Sequence, residues 1–125
     1  MTKARGEKGR LGEELAARHL TVRGYRILAR NFRVACGEID IVAEDRGTLV
    51  FVEVKTRCGL EFGAPAEALT SRKQRQISRV ALTYLSQRQL LSAPARFDVV
   101  TVLLAKGAEP RVELIANAFD LALPA

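Results

Sequence analysis

The chain has no tryptophan, one methionine, one histidine and two cysteines, and each scarcity narrows the chemistry open to it. Cys36 and Cys58 are too few for a disulfide framework and lack the spacing of a zinc site. Free thiols in a reducing cytoplasm are therefore expected. His19, the only histidine, sits in a helical apolar pattern and reads as a packed residue. Nucleophilic catalysis by a serine or cysteine activated by a histidine base thus has no support. Tyr25, Tyr84 and the five phenylalanines fall mostly within apolar patterns. They offer no stacking platform for single-stranded bases, which favours backbone or shape recognition of any nucleic acid. No apolar run approaches the roughly 20 residues of a membrane helix. The basic start MTKARGEKGR is not followed by the apolar stretch of a secretory signal. Acidic residues are also in the minority, 14 against 20 lysines and arginines, for a net charge of +6. Such a surplus attracts phosphate backbones, although many soluble proteins are mildly basic without a polyanionic partner.

What is present fits one domain. At 125 residues the chain can bury a single core but not two. Residues 1–8 are polar and basic and are expected to be flexible, with residues 9–125 forming the domain. From Gly9 the pattern turns helical, with Leu11, Leu15, His19 and Val22 as the apolar face and Gly24 as the stop. Strands are predicted over residues 25–33, 38–44 and 48–56, the last two joined by a turn at Asp45, Arg46 and Gly47. The third, LVFVEV, is apolar on both faces and so reads as a central strand. Residues 62–66, with Gly63 and Pro65, read as a loop. Ser71 and Gln74 give a capping-box signature for a second helix ending near Leu91, with Ile77, Val80, Ala81, Tyr84 and Leu85 as its apolar stripe. Strands over 96–105 and 111–117 complete an α/β fold of order α-β-β-β-α-β-β, a mixed sheet flanked by helices with a parallel last crossover.

The informative segment is Gly37-Glu38-Ile39-Asp40, followed by Glu53-Val54-Lys55. Strand alternation puts Glu53 and Lys55 on one face of the third strand, and Glu38 and Asp40 together on the second with Ile39 and Ile41 opposite. A turn centred on Arg46 and Gly47 sets Asp40 across from Glu53 and Glu38 across from Lys55. Three carboxylates and one ammonium would then share a face at the end of apolar strands. Facing carboxylates repel, so this arrangement needs a cation. Lys55 supplies part of that charge, and a divalent ion held by hard oxygen ligands would supply more. The competing account is an ion-paired strand end facing solvent. It is weakened by the position of Glu53 and Lys55 directly after an apolar run, where unpaired charge is costly.

Gly-Glu-Ile-Asp followed by Val-Glu-Val-Lys resembles the PD-(D/E)xK nuclease superfamily, whose restriction-endonuclease-like core is α-β-β-β-α-β. Gly9-x-x-Gly12-Glu13-x-x-Ala16, with Gly24-Tyr25 after it, sharpens the likeness to the uncharacterised YraN-like family, similar to archaeal Holliday-junction resolvases. The resemblance spans residues 9–119. Ile39 stands where the superfamily label has proline. The resemblance implies that Asp40 and Glu53 ligate Mg2+ or Mn2+, with the Val54 carbonyl as a further ligand. It implies that Lys55 activates or positions the attacking water, and that Glu13 joins the site from the first helix. Glu38 is expected to be the structural partner of Lys55.

Arg72, Lys73, Arg75 and Arg79 form a basic run at the start of the second helix, read either as a phosphate-contacting surface beside the site or as a solvated face. Thr56 and Arg57 are further candidates for phosphate contact. The leading expectation is a metal-dependent endonuclease acting on DNA, with branched or structured DNA as a candidate substrate. The alternative is a catalytically weak nucleic-acid-binding or repair-accessory module that keeps the fold. A homodimer is possible through the apolar tail, residues 116–124, which could equally pack on its own core.

Overall fold

The computed structural model describes residues 6–58 and 69–122. The proposed loop at 62–66 and the first five residues of the proposed flexible segment lie outside them. The elements are α1 (Glu7–Val22), β1 (Arg26–Val34), β2 (Gly37–Asp45), β3 (Thr48–Cys58), α2 (Ser71–Gln87), β4 (Ala95–Leu104) and β5 (Arg111–Phe119). The expected α/β order is therefore realised. The five strands form one sheet in the order β1-β2-β3-β4-β5. The β3–β4 pair, bridged by α2, is parallel, while the other three pairs are antiparallel.

Each face of the sheet carries one helix. On the α2 face, Ile39, Val42, Phe51, Phe97 and Val99 pack against Ile77, Val80, Ala81, Tyr84 and Leu85, the stripe expected for α2. On the α1 face, Ile41, Ala43, Val50, Val52, Val100 and Val102 meet Ala16, Ala17 and Leu20. The α2 cap lies one residue before its predicted place. Thr70 Oγ1 accepts from the Lys73 N–H at 3.1 Å and is the cap. Gln74 Nε2 instead donates to the Leu69 carbonyl at 3.0 Å and so ties down the preceding residue, not the capping contact expected of it. The helix stops at Gln87 rather than near Leu91, and Gln89 turns the chain with φ 58°.

The structure corrects the expected face of α1. Leu11 is 47% and Val22 87% exposed, whereas Gly12, Glu13, Ala16, Ala17 and Leu20 are buried. The reason is distance: around Gly12 the helix lies too close to the sheet for a side chain, and only further along, at Leu20, is a large one buried. A Cβ built on Gly12 would sit 1.9 Å from Thr56 Oγ1, so only glycine allows this approach. The helix also begins at Glu7, two residues inside the segment expected to be flexible.

The β2–β3 turn places Arg46 at φ 52° and Gly47 at φ 88°, the backbone of a tight hairpin turn. Its register runs from Asp45↔Thr48 to Ile41↔Val52, as the predicted turn centre requires. Beyond Ile41 the two strands part. The rest of β2, back to Gly37, pairs with β1, and the rest of β3, on to Cys58, pairs with β4. Within the tail, Phe119 stacks on Phe97 with ring centroids 4.7 Å apart, and the Ala122 N–H donates to Ser78 Oγ at 2.9 Å. The described part of the tail thus packs on its own core.

The Gly12–Thr56 contact yields a direct test. Gly12→Ala is expected to destabilise the fold by about 1–3 kcal/mol, as inserting a methyl into a filled contact does. Thr56→Ala in the same chain should recover part of the loss, as read by urea unfolding. An unchanged midpoint for Gly12→Ala would show that α1 shifts freely and that the close approach imposes no constraint.

Candidate active site

Asp40 occupies the point at which the sheet opens. The β1–β2 register pairs Arg30 with Ile41 and Phe32 with Ile39, stepping over Asn31 and Asp40, and Asn31 has a positive φ of 55°. The β2–β3 register stops one residue short of Asp40. Asp40 is thus the position of β2 that both ladders pass over. The strand turns there: Ile39 faces the α2 cluster and Ile41 the α1 cluster. The expectation that these two isoleucines share a face is thereby corrected.

The parting of β2 from β3 frees backbone donors, and the Asp40 side chain takes one of them. The Val54 N–H donates to Asp40 Oδ2 at 2.8 Å. Asp40 is 9% and Glu53 7% exposed, and their carboxyl groups are neighbours. Burial first, and the adjacent Asp40 charge second, raise the Glu53 carboxyl from 4.5 to about 7; Lys73 and Lys55 oppose the rise. Both lysines reach the same oxygen. Lys55 Nζ lies 3.6 Å and Lys73 Nζ 3.8 Å from Glu53 Oε2.

The site opens into a cavity of about 500 Å³ lined by residues 33–38, Asp40, Glu53, Lys73 and Gln76. A second cavity of about 580 Å³ shares Cys36, Lys73 and Gln76 with it and adds Thr70, Arg72, Arg75 and Arg79. All four cations of the basic run therefore line one groove beside the carboxylates. Gln76 Nε2 donates to the Cys36 carbonyl at 3.1 Å, tying α2 to the β1–β2 turn where the two cavities meet.

Other expected residues are placed differently. Glu38 is ion-paired with Arg33 across the β1–β2 hairpin at 3.6 Å. The pairing found for Lys55 is with Glu53, so the expected Glu38–Lys55 pair is not the one observed. Thr56 meets Gly12 of α1, on the sheet face opposite Glu53, so its side chain is a packing contact. Arg57 is exposed. Glu13 is buried at 3% exposure on the helix held close by Gly12, and Glu14 is its solvated neighbour, bonded to Arg30 at 3.1 Å and Arg18 at 3.3 Å. Both cysteines are free.

Sequence reasoning missed the place of Lys73 in the carboxylate site and the tie made by Gln76. Only the helical register, which puts Lys73 one turn before Ile77, could have signalled the first. It also missed a buried network at the other end of the sheet. Asp98 accepts from the Tyr25 hydroxyl at 2.8 Å, from Arg96 Nε at 3.0 Å and from the Asn117 N–H at 2.9 Å.

The donor set fits a hard divalent cation. Among the described residues no three or more His, Cys, Asp or Glu side chains converge, so a closed protein cage is not built. Magnesium does not require one: it is commonly held by one or two carboxylates, with waters and substrate phosphate oxygens completing its shell. Two adjacent buried carboxylates beside a cavity supply that minimum.

The raised Glu53 carboxyl sets the sign of a pH effect. Between pH 4.5 and about 7 the native chain holds this proton more tightly than the unfolded chain does. The associated stability is fully present below pH 4.5 and is lost as pH rises through about 7. In chelator, Glu53→Gln should therefore be more stable than wild type well above pH 7, by on the order of 3 kcal/mol. The difference should vanish below pH 4.5. Thermal unfolding across pH checks this, and a wild type that is the more stable at high pH would refute the strained pair.

Comparison with known proteins places the chain. Residues 12–102 match the family described as "Uncharacterised protein family UPF0102". A UPF0102 protein of Trichlorobacter lovleyi is 57% identical over 115 residues, covering 91% of each chain. One from Geobacter sulfurreducens is 52% identical over 111 residues, covering 89% of this chain and 87% of that one. One from Desulfosudis oleivorans is 49% identical over 125 residues, covering 100% and 99%. With the family match spanning residues 12–102 and a relative 57% identical over 91% of its length, the chain belongs to the UPF0102 family.

Proposed function

We propose that this protein is a cytoplasmic, Mg2+- or Mn2+-dependent endonuclease that hydrolyses phosphodiester bonds in DNA. The observation that carries the reading is the buried Asp40–Glu53 pair at the sheet fork, with Lys55 on Glu53 and a groove of four cations leading away. Holding two carboxylates together out of water costs stability, and a fold that does so at a cavity mouth has a use for the charge. Asp40 and Glu53 would hold the ion, with the Val54 carbonyl and Glu13 as the additional ligands that the family resemblance suggests. Bound there, a divalent ion supplies charge to neutralise the phosphate, acidify a water and stabilise the leaving alkoxide. Lys55 positions that water and stabilises charge on the phosphate. Arg72, Arg75 and Arg79 contact neighbouring backbone phosphates, and Arg57 lies exposed beyond the motif lysine. No helix of the described residues is long and apolar enough to cross a membrane.

A second reading is a catalytically weak DNA-binding or repair-accessory module. It is favoured by the two-carboxylate site, which lacks a third converging ligand among the described residues. The two readings separate on labelled linear, flapped and four-way-junction DNA with each metal. The nuclease reading expects cleavage by wild type and a loss of at least about 100-fold in Asp40→Asn and Lys55→Ala. Binding without cleavage by wild type selects the accessory module. Cleavage by Asp40→Asn at the wild-type rate would mean that the site is wrong.

A further inference from the structure

We propose that Lys73 is a substrate-positioning residue that metal binding transfers from Glu53 to the phosphate of the bound strand. The inference rests on the metal site proposed above and adds an order to it: cation first, nucleic acid second.

Three observations converge on this lysine. Its ammonium lies 3.8 Å from Glu53 Oε2, the oxygen that Lys55 also reaches at 3.6 Å. It lines both the carboxylate cavity and the basic groove; of the four cations in that groove it alone does so. Its backbone is fixed as well. The Lys73 N–H is capped by Thr70, and one turn later Gln76 ties the same helix to the β1–β2 turn. A long side chain on a fixed helical start can swing at its tip while its root stays in place.

Charge supplies the drive. Among the described residues, two carboxylates here face two ammonium groups, a balance that holds both ammonium groups on acid. A divalent cation on the carboxylates makes the ammonium of Lys73 redundant to Glu53 and repels it. The balance becomes a net positive site at the mouth of the groove, where a phosphodiester can take up the released lysine in charge-assisted hydrogen bonds. Lys55 sits on the motif strand beside Glu53 and is the less exposed of the two, 25% against 38% for its side chain. Lys73 is therefore the one free to leave.

Ca2+ and a short fluorescein-labelled DNA duplex give a readout independent of cleavage. Wild type is expected to bind the duplex roughly tenfold or more tightly with Ca2+ than in chelator. Lys73→Gln should lose most of that gain while binding Ca2+ by calorimetry at least as well as wild type. Lys73→Arg should restore the gain, and Arg79→Gln should weaken binding equally with and without the ion. A Lys73→Gln protein that keeps the full Ca2+-dependent gain overturns the proposal. So does one that no longer binds Ca2+, because Lys73 would then be a structural support. If wild type binds neither Ca2+ nor Mg2+, the metal-site reading itself fails and this inference falls with it.

Discussion

The separation of β2 from β3 after Ile41↔Val52 is the constraint on which the rest of the site depends. A regular sheet would pair Asp40 and Val54 with neighbouring backbone and leave no room for chemistry. Here both ladders pass over Asp40, and Asn31 opposite it takes a positive φ. The Val54 N–H then needs an acceptor, since a buried donor without one costs on the order of 1–3 kcal/mol. The Asp40 carboxylate provides it at 2.8 Å. That single bond fixes the rotamer of the first candidate ligand, bridges the fork and brings Asp40 beside Glu53. Bend, buried acid pair and cavity are thus consequences of one local event.

The two helices hold the fork open in different ways. On one face α1 presses against the sheet through Gly12, Ala16 and Ala17, a contact of small residues with no tolerance for a methyl at Gly12. On the other face α2 packs through large side chains, with Tyr84 edge-on to both Phe32 and Phe51. Its first turn therefore stands over the carboxylates. There Thr70 caps the helix, and from the first turn onward Arg72, Lys73, Arg75 and Arg79 line the groove. Placing cations at a helix N-terminus works against the helix dipole. α2 has no acidic residue in its first turn, so the unfavourable placement is not offset locally. A basic first turn beside an acid pair makes sense where the groove has to receive an anion.

Much of this was legible because strand geometry is rigid. The hairpin turn at Arg46 and Gly47 fixes register as far as Ile41↔Val52. The expected Asp40↔Glu53 strand pair does not form, but the end of that ladder leaves Asp40 near enough for its carboxyl group to meet Glu53. The α2 stripe was legible because its large apolar residues leave a clear helical period. The failures have physical causes. Apart from Leu20 and the charged Glu13, the buried face of α1 is glycine and alanine, which carry little hydropathy signal, so the exposed Leu11 and Val22 took its place. The Glu38–Lys55 pairing assumed an unbroken ladder, yet the ladder ends at Ile41, leaving Glu38 beside Arg33. Thr56 follows the motif lysine in sequence, but alternation turns it to the α1 face. Lys73 is far from Glu53 along the chain, and only tertiary structure brings it there.

The molecule contains its own control for the meaning of a buried carboxylate. Asp98 is fully buried, yet its oxygens accept from Tyr25, Arg96 and the Asn117 backbone, and Arg96 is also bonded to Asp45 at 2.8 Å. Every direction around that acid is filled by a donor, which is how folds make a buried charge structural. It clamps the N-terminal end of β4 to β5 and to Tyr25, just ahead of β1. Glu53 is nearly as buried, but its strongest neighbour is another carboxylate, and two lysines only partly offset the raised pKa. The two ends of one sheet thus hold buried acids in different electrostatic states, one satisfied by donors around it and one held beside a second carboxylate, its pKa raised despite two lysines. That burial and acid–acid repulsion, at the cavity rather than at the clamp, are what a divalent cation would relieve.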